Sequence, residues 1–145
     1  MKYVLVSECL LGVNCRYDGE NSMCEELIED LKDCAIIPIC PEQLGGLTTP
    51  RPPAQINWGS GLDVLMKIAK VQRIDDKIDL SEQYVKGAEA ALYLARLFGV
   101  KEAYLKEESP ACGVNFIKRN DDKIEGSGVC AALLRAEGLI LHSVE

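Results

Sequence analysis

Lys2-Tyr-Val-Leu-Val-Ser-Glu-Cys-Leu-Leu-Gly12 opens the chain. Its first five residues are a short apolar run rich in β-forming side chains, and the run breaks at Ser7. That pattern reads as a buried strand that ends in a loop carrying Cys9. The motif recurs. Ala35-Ile-Ile-Pro-Ile39 runs into Cys40-Pro-Glu42, and Lys101-Glu-Ala-Tyr-Leu105 runs into a loop that contains Ser109-Pro-Ala-Cys112. Between these runs lie helical spacings. Met23, Leu27, Ile28 and Leu31 share one face of a helix over Ser22–Lys32, with Asn21 or Ser22 as N-cap. Ser81 opens a second helix that runs to about Phe98, with Gly99 beyond its end. Ala131–Glu137 forms the last helix and Leu139–His142 the last strand. Strands alternating with helices predict an α/β fold. The expected form is a single-domain three-layer sandwich over residues 1–145, with a mainly parallel central sheet and one or two inserted hairpins.

The segments between are rich in turn-forming residues. Pro41 to Gly61, dense in proline and glycine, reads as a long irregular loop, and loops of that length are usually functional. Val64–Val71 and Lys77–Asp79, about an Asp75-Asp76 turn, are expected to form one hairpin. Val114–Lys118 and Lys123–Glu125 are expected to form another.

The chain has 145 residues, 23 acids and 16 bases, for a net charge of −7. That balance argues against a nucleic-acid partner or an anionic membrane surface, both of which favour a basic face. No apolar run is long enough to cross a bilayer, and the N-terminal apolar run is too short for a secretory signal. The expected compartment is the cytoplasm, where thiols stay reduced. Against that background, seven cysteines beside a single histidine are unexpected. An odd number cannot pair completely, so metal, cluster or redox chemistry competes with simple burial as small hydrophobes.

Position separates the cysteines. Cys9, Cys40 and Cys112 each follow a predicted strand, and ligands of open α/β sheets bind beyond the strands' carboxyl ends. Residues distant in sequence are therefore expected to converge as a three-thiol site. Gly12, Gly45, Gly46 and Gly113 allow close backbone approach there, and Pro41 and Pro110 stiffen the turns. Cys24, Cys34 and Cys130 lie on or beside helices and read as packing residues. Cys15 shares a loop with Cys9 and is an accessory candidate; Arg16 beside it would favour its thiolate. Three soft ligands suit zinc with an open fourth position, or an iron–sulfur cluster with one open iron, and ligand type alone does not choose between them.

Glu42, two residues after Cys40, is placed to hold or move a proton. Ser109 is placed to bond a substrate heteroatom, or to form a turn before Pro110. Arg51, between prolines, either binds an anion or ties the loop to a carboxylate. Lys106, Glu107 and Glu108 read by default as wet surface, and His142 as structural.

Taken together, Cys9–Gly19, Pro38–Gly46, Thr49–Ala54, Lys106–Asn115 and Gly126–Arg135 resemble a prokaryotic family long catalogued as a domain of unknown function. Its characterised members are thiouracil desulfidases. The likeness spans nearly the whole chain in the same order; Cys130 stands where a small or β-branched residue is expected. The resemblance implies a 4Fe–4S cluster held by Cys9, Cys40 and Cys112, with one iron free. It implies a non-redox reaction on a small thiolated nucleobase or similar thioamide. Sulfur binds the open iron, and oxygen from water replaces it. Glu42 is the candidate for proton transfer and Ser109 for orientation. Two other classes compete: a non-catalytic zinc or sulfur carrier, and a thiol redox protein that uses Cys9 and Cys15.

Overall fold

The computed structural model describes Met1–Glu145. In chain order the elements are β1 (Tyr3–Ser7), a 3₁₀ turn (Glu8–Leu11), α1 (Glu25–Asp30), β2 (Ala35–Ile39) and α2 (Pro41–Leu44). Then come β3 (Ala54–Ile56), α3 (Gly61–Leu65), β4 (Val71–Arg73), α4 (Ser81–Leu97) and β5 (Glu102–Lys106). The chain closes with β6 (Phe116–Arg119), β7 (Asp122–Glu125), α5 (Val129–Ala136) and β8 (Ile140–Val144). The central sheet has the order β2-β1-β5-β8, and every neighbouring pair is parallel. The fold is the expected α/β one.

The two-residue period of β1 builds the layers. Val4 and Val6 pack with Leu10, Leu27 and Leu31 on the α1 face. Leu5 points the other way and joins the larger core, where α4 contributes Tyr84, Ala88, Ala91 and Ala95, and α5 contributes Val129, Cys130 and Leu134. Alternate residues of one strand thus feed opposite faces, which is why helices cover both sides. From β1 the chain passes to β2 on one side and later to β5 and β8 on the other. The strand order therefore reverses between β1 and β5. A crevice opens there beyond the strands' carboxyl ends.

Three expectations are corrected. Residues 64–71 do not form the first arm of a hairpin. Their first part belongs to α3, which is closed at its N-terminus by reciprocal bonds between Ser60 and Asp63. β4 pairs instead with β3, antiparallel, and only an isolated bridge between Gln72 and Asp79 survives of the expected pairing. The supposed irregular loop over 41–61 contains α2 and β3. α1 begins at Glu25 rather than Ser22, because Asn21 Oδ1 accepts from Met23 N (3.0 Å) and Ser22 Oγ accepts from Arg16 (2.7 Å), which holds this stretch extended. The β6–β7 hairpin is found where expected, in register Phe116↔Glu125 to Arg119↔Asp122.

One contact seats the first turn of the site. α2 meets α4 at two glycines, Gly45 just after α2 and Gly87 within α4. A Cβ on Gly87 would lie 1.8 Å from the Pro41 carbonyl oxygen, and one on Gly45 would lie 1.9 Å from that of Gln83. Only backbone against backbone fits there.

Candidate active site

A cavity of about 530 Å³ opens at the switch point. Cys9, Cys15, Cys40, Cys112, Glu42 and Ser109 all line it, so every candidate site residue named from the sequence meets in one place. Cys9 sits on the 3₁₀ turn directly after β1, and Cys40 caps α2 directly after β2. Cys112 follows β5. All seven cysteines are free, and these four are buried. Cys24 and Cys34 are half-buried beside the smaller core, and Cys130 is fully buried in the larger one. None of those three lines the cavity.

The loop of Cys112 is fastened from three directions. Ser109 Oγ accepts from the N–H groups of Ala111 (3.0 Å) and Cys112 (3.1 Å). The first N–H groups of α5 donate to the same loop: Val129 to the Pro110 carbonyl (2.8 Å) and Cys130 to that of Ala111 (2.9 Å). These donors have no partner within their own helix, so the loop and the helix end satisfy each other. Ser109 therefore fills the turn role, and its own O–H remains a donor toward the cavity.

Glu107 is the third fastening, and the sequence reading missed it. It is 3% exposed rather than wet surface. Its carboxylate accepts from the N–H groups of Val114 (2.7 Å), Asn115 (3.1 Å) and Phe116 (3.1 Å), and from the Ser143 hydroxyl (2.6 Å). Burial would raise its proton affinity; the Ser143 hydroxyl and the N–H donors outweigh that and hold the carboxyl below its ordinary range. The only signal in the sequence was an acid at the end of a strand and the start of a turn-rich loop.

The thiols differ in character. Cys15 packs against Cys40 and Cys9, and its interactions with those two thiols, with burial, raise its own proton affinity strongly. The same interactions with Cys15 are the main reason that Cys9 and Cys40 are lowered below the ordinary thiol range. Arg16 was expected to favour the Cys15 thiolate. Instead Arg16 is engaged with Asp18 (3.5 Å) and Ser22, and Cys15 acts as the proton-bearing partner of its neighbours. Burial raises Cys112.

Glu42 is buried, and desolvation raises its proton affinity despite Arg51 nearby. The Arg51–Glu42 pair is 3.8 Å apart and Cys40 Sγ lies 3.9 Å from Glu42 Oε1. Arg51 thus ties the long loop to a carboxylate, one of its two expected roles. It is held by the Thr48 carbonyl (3.1 Å) and the Thr49 hydroxyl (3.1 Å). Tyr84 of α4 lines the cavity beside Glu42. His142 is structural, as expected. It bonds Glu102 at 2.9 Å and stacks on Tyr104 with ring centroids 4.4 Å apart.

Buried thiols from three strand ends, with Arg16, Arg51 and Lys106 on the same walls, form a soft donor set with its negative charge offset. Such a set fits an iron–sulfur cluster and equally a thiolate-bound metal ion. No helix is long and apolar enough to cross a membrane.

The chain is similar to known proteins. The chain matches the family model described as 2-thiouracil desulfurase over residues 4–145. It is 41% identical over 138 residues to the uncharacterized protein YbbK of Bacillus subtilis (strain 168), covering 93% of this chain and 91% of that protein. Among solved structures it is similar to the 4Fe–4S-dependent thiouracil desulfidase TudS, with a TM-score of 0.82 and 33% identity. That match covers 99% of this chain and 91% of the other. By sequence and by fold, the chain belongs to the 2-thiouracil desulfurase family.

Proposed function

We propose that this protein is a cytoplasmic desulfidase that replaces the sulfur of a thiouracil-like compound with oxygen from water. It would use a 4Fe–4S cluster held by Cys9, Cys40 and Cys112. The observation that carries this reading is the meeting of those thiols with a buried carboxyl, Glu42, in one cavity at the switch point. Bound there, the cluster supplies a Lewis-acidic iron with one position open to a thiocarbonyl sulfur.

The chain's own residues handle the protons. The net change is C=S plus water to C=O plus hydrogen sulfide. A water attacking the thiocarbonyl carbon must lose its protons, and a sulfur leaving it must gain them. Glu42 is the buried group that takes the first proton at its carboxylate oxygen and returns it. Its raised proton affinity suits a group that must do both. Arg51 keeps the carboxyl in place and limits how far burial raises it. Ser109 donates its O–H to a ring heteroatom, and its two backbone bonds fix where that donor sits.

Anaerobic reconstitution tests the reading. It should give a brown protein with about four irons and four sulfides per chain. The product should release sulfide from 2-thiouracil. Cys9→Ser, Cys40→Ser and Cys112→Ser should each lose iron and turnover, whereas Cys24→Ser should keep both. A reconstituted protein that takes up no iron, or releases no sulfide, overturns it.

A further inference from the structure

Glu8 and Cys15 have no part in that reaction, yet they are not idle in the fold. A carboxylate oxygen of Glu8, Cys15 Sγ and Cys40 Sγ all lie within 4.8 Å of one another. They come from separate places: the 3₁₀ turn after β1, the loop that returns beneath it, and the end of β2. Both thiols are buried, Glu8 is half-buried, and all three line the cavity.

Spacing decides what such a set can hold. The thiolate ligands of one cubane cluster sit on different irons and stand well apart. Ligands on one tetrahedral zinc ion, at about 2.3 Å for sulfur and 2.0–2.2 Å for oxygen, lie within roughly 4 Å of each other. Glu8, Cys15 and Cys40 need only a small inward rotation to reach that spacing. We propose that Glu8, Cys15 and Cys40 form a mononuclear zinc site in the cluster-free protein, with solvent in the fourth position. Two thiolates and a carboxylate match zinc better than magnesium or calcium, which favour oxygen alone. Binding displaces the two thiol protons to solvent, so no electron changes hands. Cys9 packs beside Cys15 in the smaller core and would serve as its outer partner.

Cys40 belongs to both donor sets. Zinc and cluster therefore exclude each other; this consequence rests on the cluster ligands proposed above. Zinc would occupy the chain before its cluster arrives and leave Cys112 free.

The test uses full-length, cluster-free protein under anaerobic conditions, titrated with zinc against a competing chelator. Cobalt(II) then replaces zinc as a reporter of thiolate ligation. One ion should bind per chain, with sulfur-to-cobalt charge-transfer absorption. Glu8→Gln and Cys15→Ser should each weaken binding by more than about tenfold. Cys112→Ser should bind as the parent does. Glu8→Gln, half-exposed on a turn, guards against a loss caused by misfolding; its thermal unfolding without metal should match the parent's. Zinc-loaded protein should take up no iron until the chelator removes the zinc. Absence of a tight ion, or an ion lost in Cys112→Ser but kept in Glu8→Gln and Cys15→Ser, overturns the site. Iron uptake and sulfide release are scored on the zinc-free preparations, so failure of the desulfidase reading leaves the zinc result standing.

Discussion

Gly87→Ala probes the seat of the site. In an isolated helix this change would gain about 1 kcal/mol, because alanine is the better helix former. Here the new Cβ would stand 1.8 Å from the Pro41 carbonyl oxygen. Relief to an ordinary contact near 3.4 Å needs a shift of about 1.6 Å. The 17-residue α4 is anchored in the larger core by Tyr84, Ala88, Ala91, Leu92 and Ala95. The four-residue α2 is the element that yields. Overpacking of this kind costs about 1–3 kcal/mol, so after the helix gain the net loss is at most about 2 kcal/mol. In a chain of this size that lowers Tm by several degrees. Activity should fall further than stability. α2 begins at the Cys40 cap and carries Glu42 in its first turn, and a misplacement of 1 Å can cost about a hundredfold in rate. Urea unfolding, iron content and sulfide release would be measured on the same preparations. Glu89→Ala, on the exposed side of α4, serves as control and should change stability by no more than about 0.5 kcal/mol. A Gly87→Ala protein that is stabilised by about 1 kcal/mol and keeps full iron and turnover would refute the reasoning.

Glu107→Gln should cost about 2–3 kcal/mol at neutral pH, since it removes a charged acceptor shared by several N–H groups. The folded carboxyl binds its proton less readily than the unfolded one, so its contribution is present at neutral pH and is lost as pH falls through the folded-state value below the ordinary glutamate range. The parent should therefore lose more stability than the variant on acidification in urea titrations; equal losses would show that Glu107 is not the group responsible. Ser109→Ala leaves the N–H groups of Ala111 and Cys112 without their acceptor and should cost about 1–2 kcal/mol. Its sulfide release should fall chiefly through KM if the hydroxyl also holds substrate. Arg51→Met removes the cation opposite Glu42 and frees the long loop, and the pH profile of sulfide release should move upward. An unmoved profile would separate Arg51 from the proton chemistry.

Much of the site was legible because strand ends are legible. Short apolar runs that stop at Ser7, Cys40 and Lys106 mark the carboxyl edge of a parallel sheet, and the loops that follow must share a crevice. That reasoning brings Cys9, Cys40 and Cys112 together without any local metal motif. It failed where partners are distant. Glu107 looks like one more exposed acid until β6 and β8 bring the N–H groups of Val114 to Phe116 and the Ser143 hydroxyl around it. The misjudged hairpin has the same origin. An Asp75-Asp76 turn predicts a reversal correctly, but β4 chooses β3 because the tertiary fold places that strand beside it.

The sequence by itself determined the layered α/β plan, the parallel sheet and the edge on which its thiols gather. These depend on local periodicity and on turn chemistry, which each segment carries with it. Only the tertiary structure decided the order β2-β1-β5-β8, the crossing of Gly45 and Gly87, and the company each thiol keeps. Cys15 shows the difference. Beside Arg16 in sequence it reads as a thiolate. Beside Cys40 and Cys9 in space its proton affinity is raised, because its interactions with those two thiols and its burial outweigh a nearby charge that is turned toward Asp18.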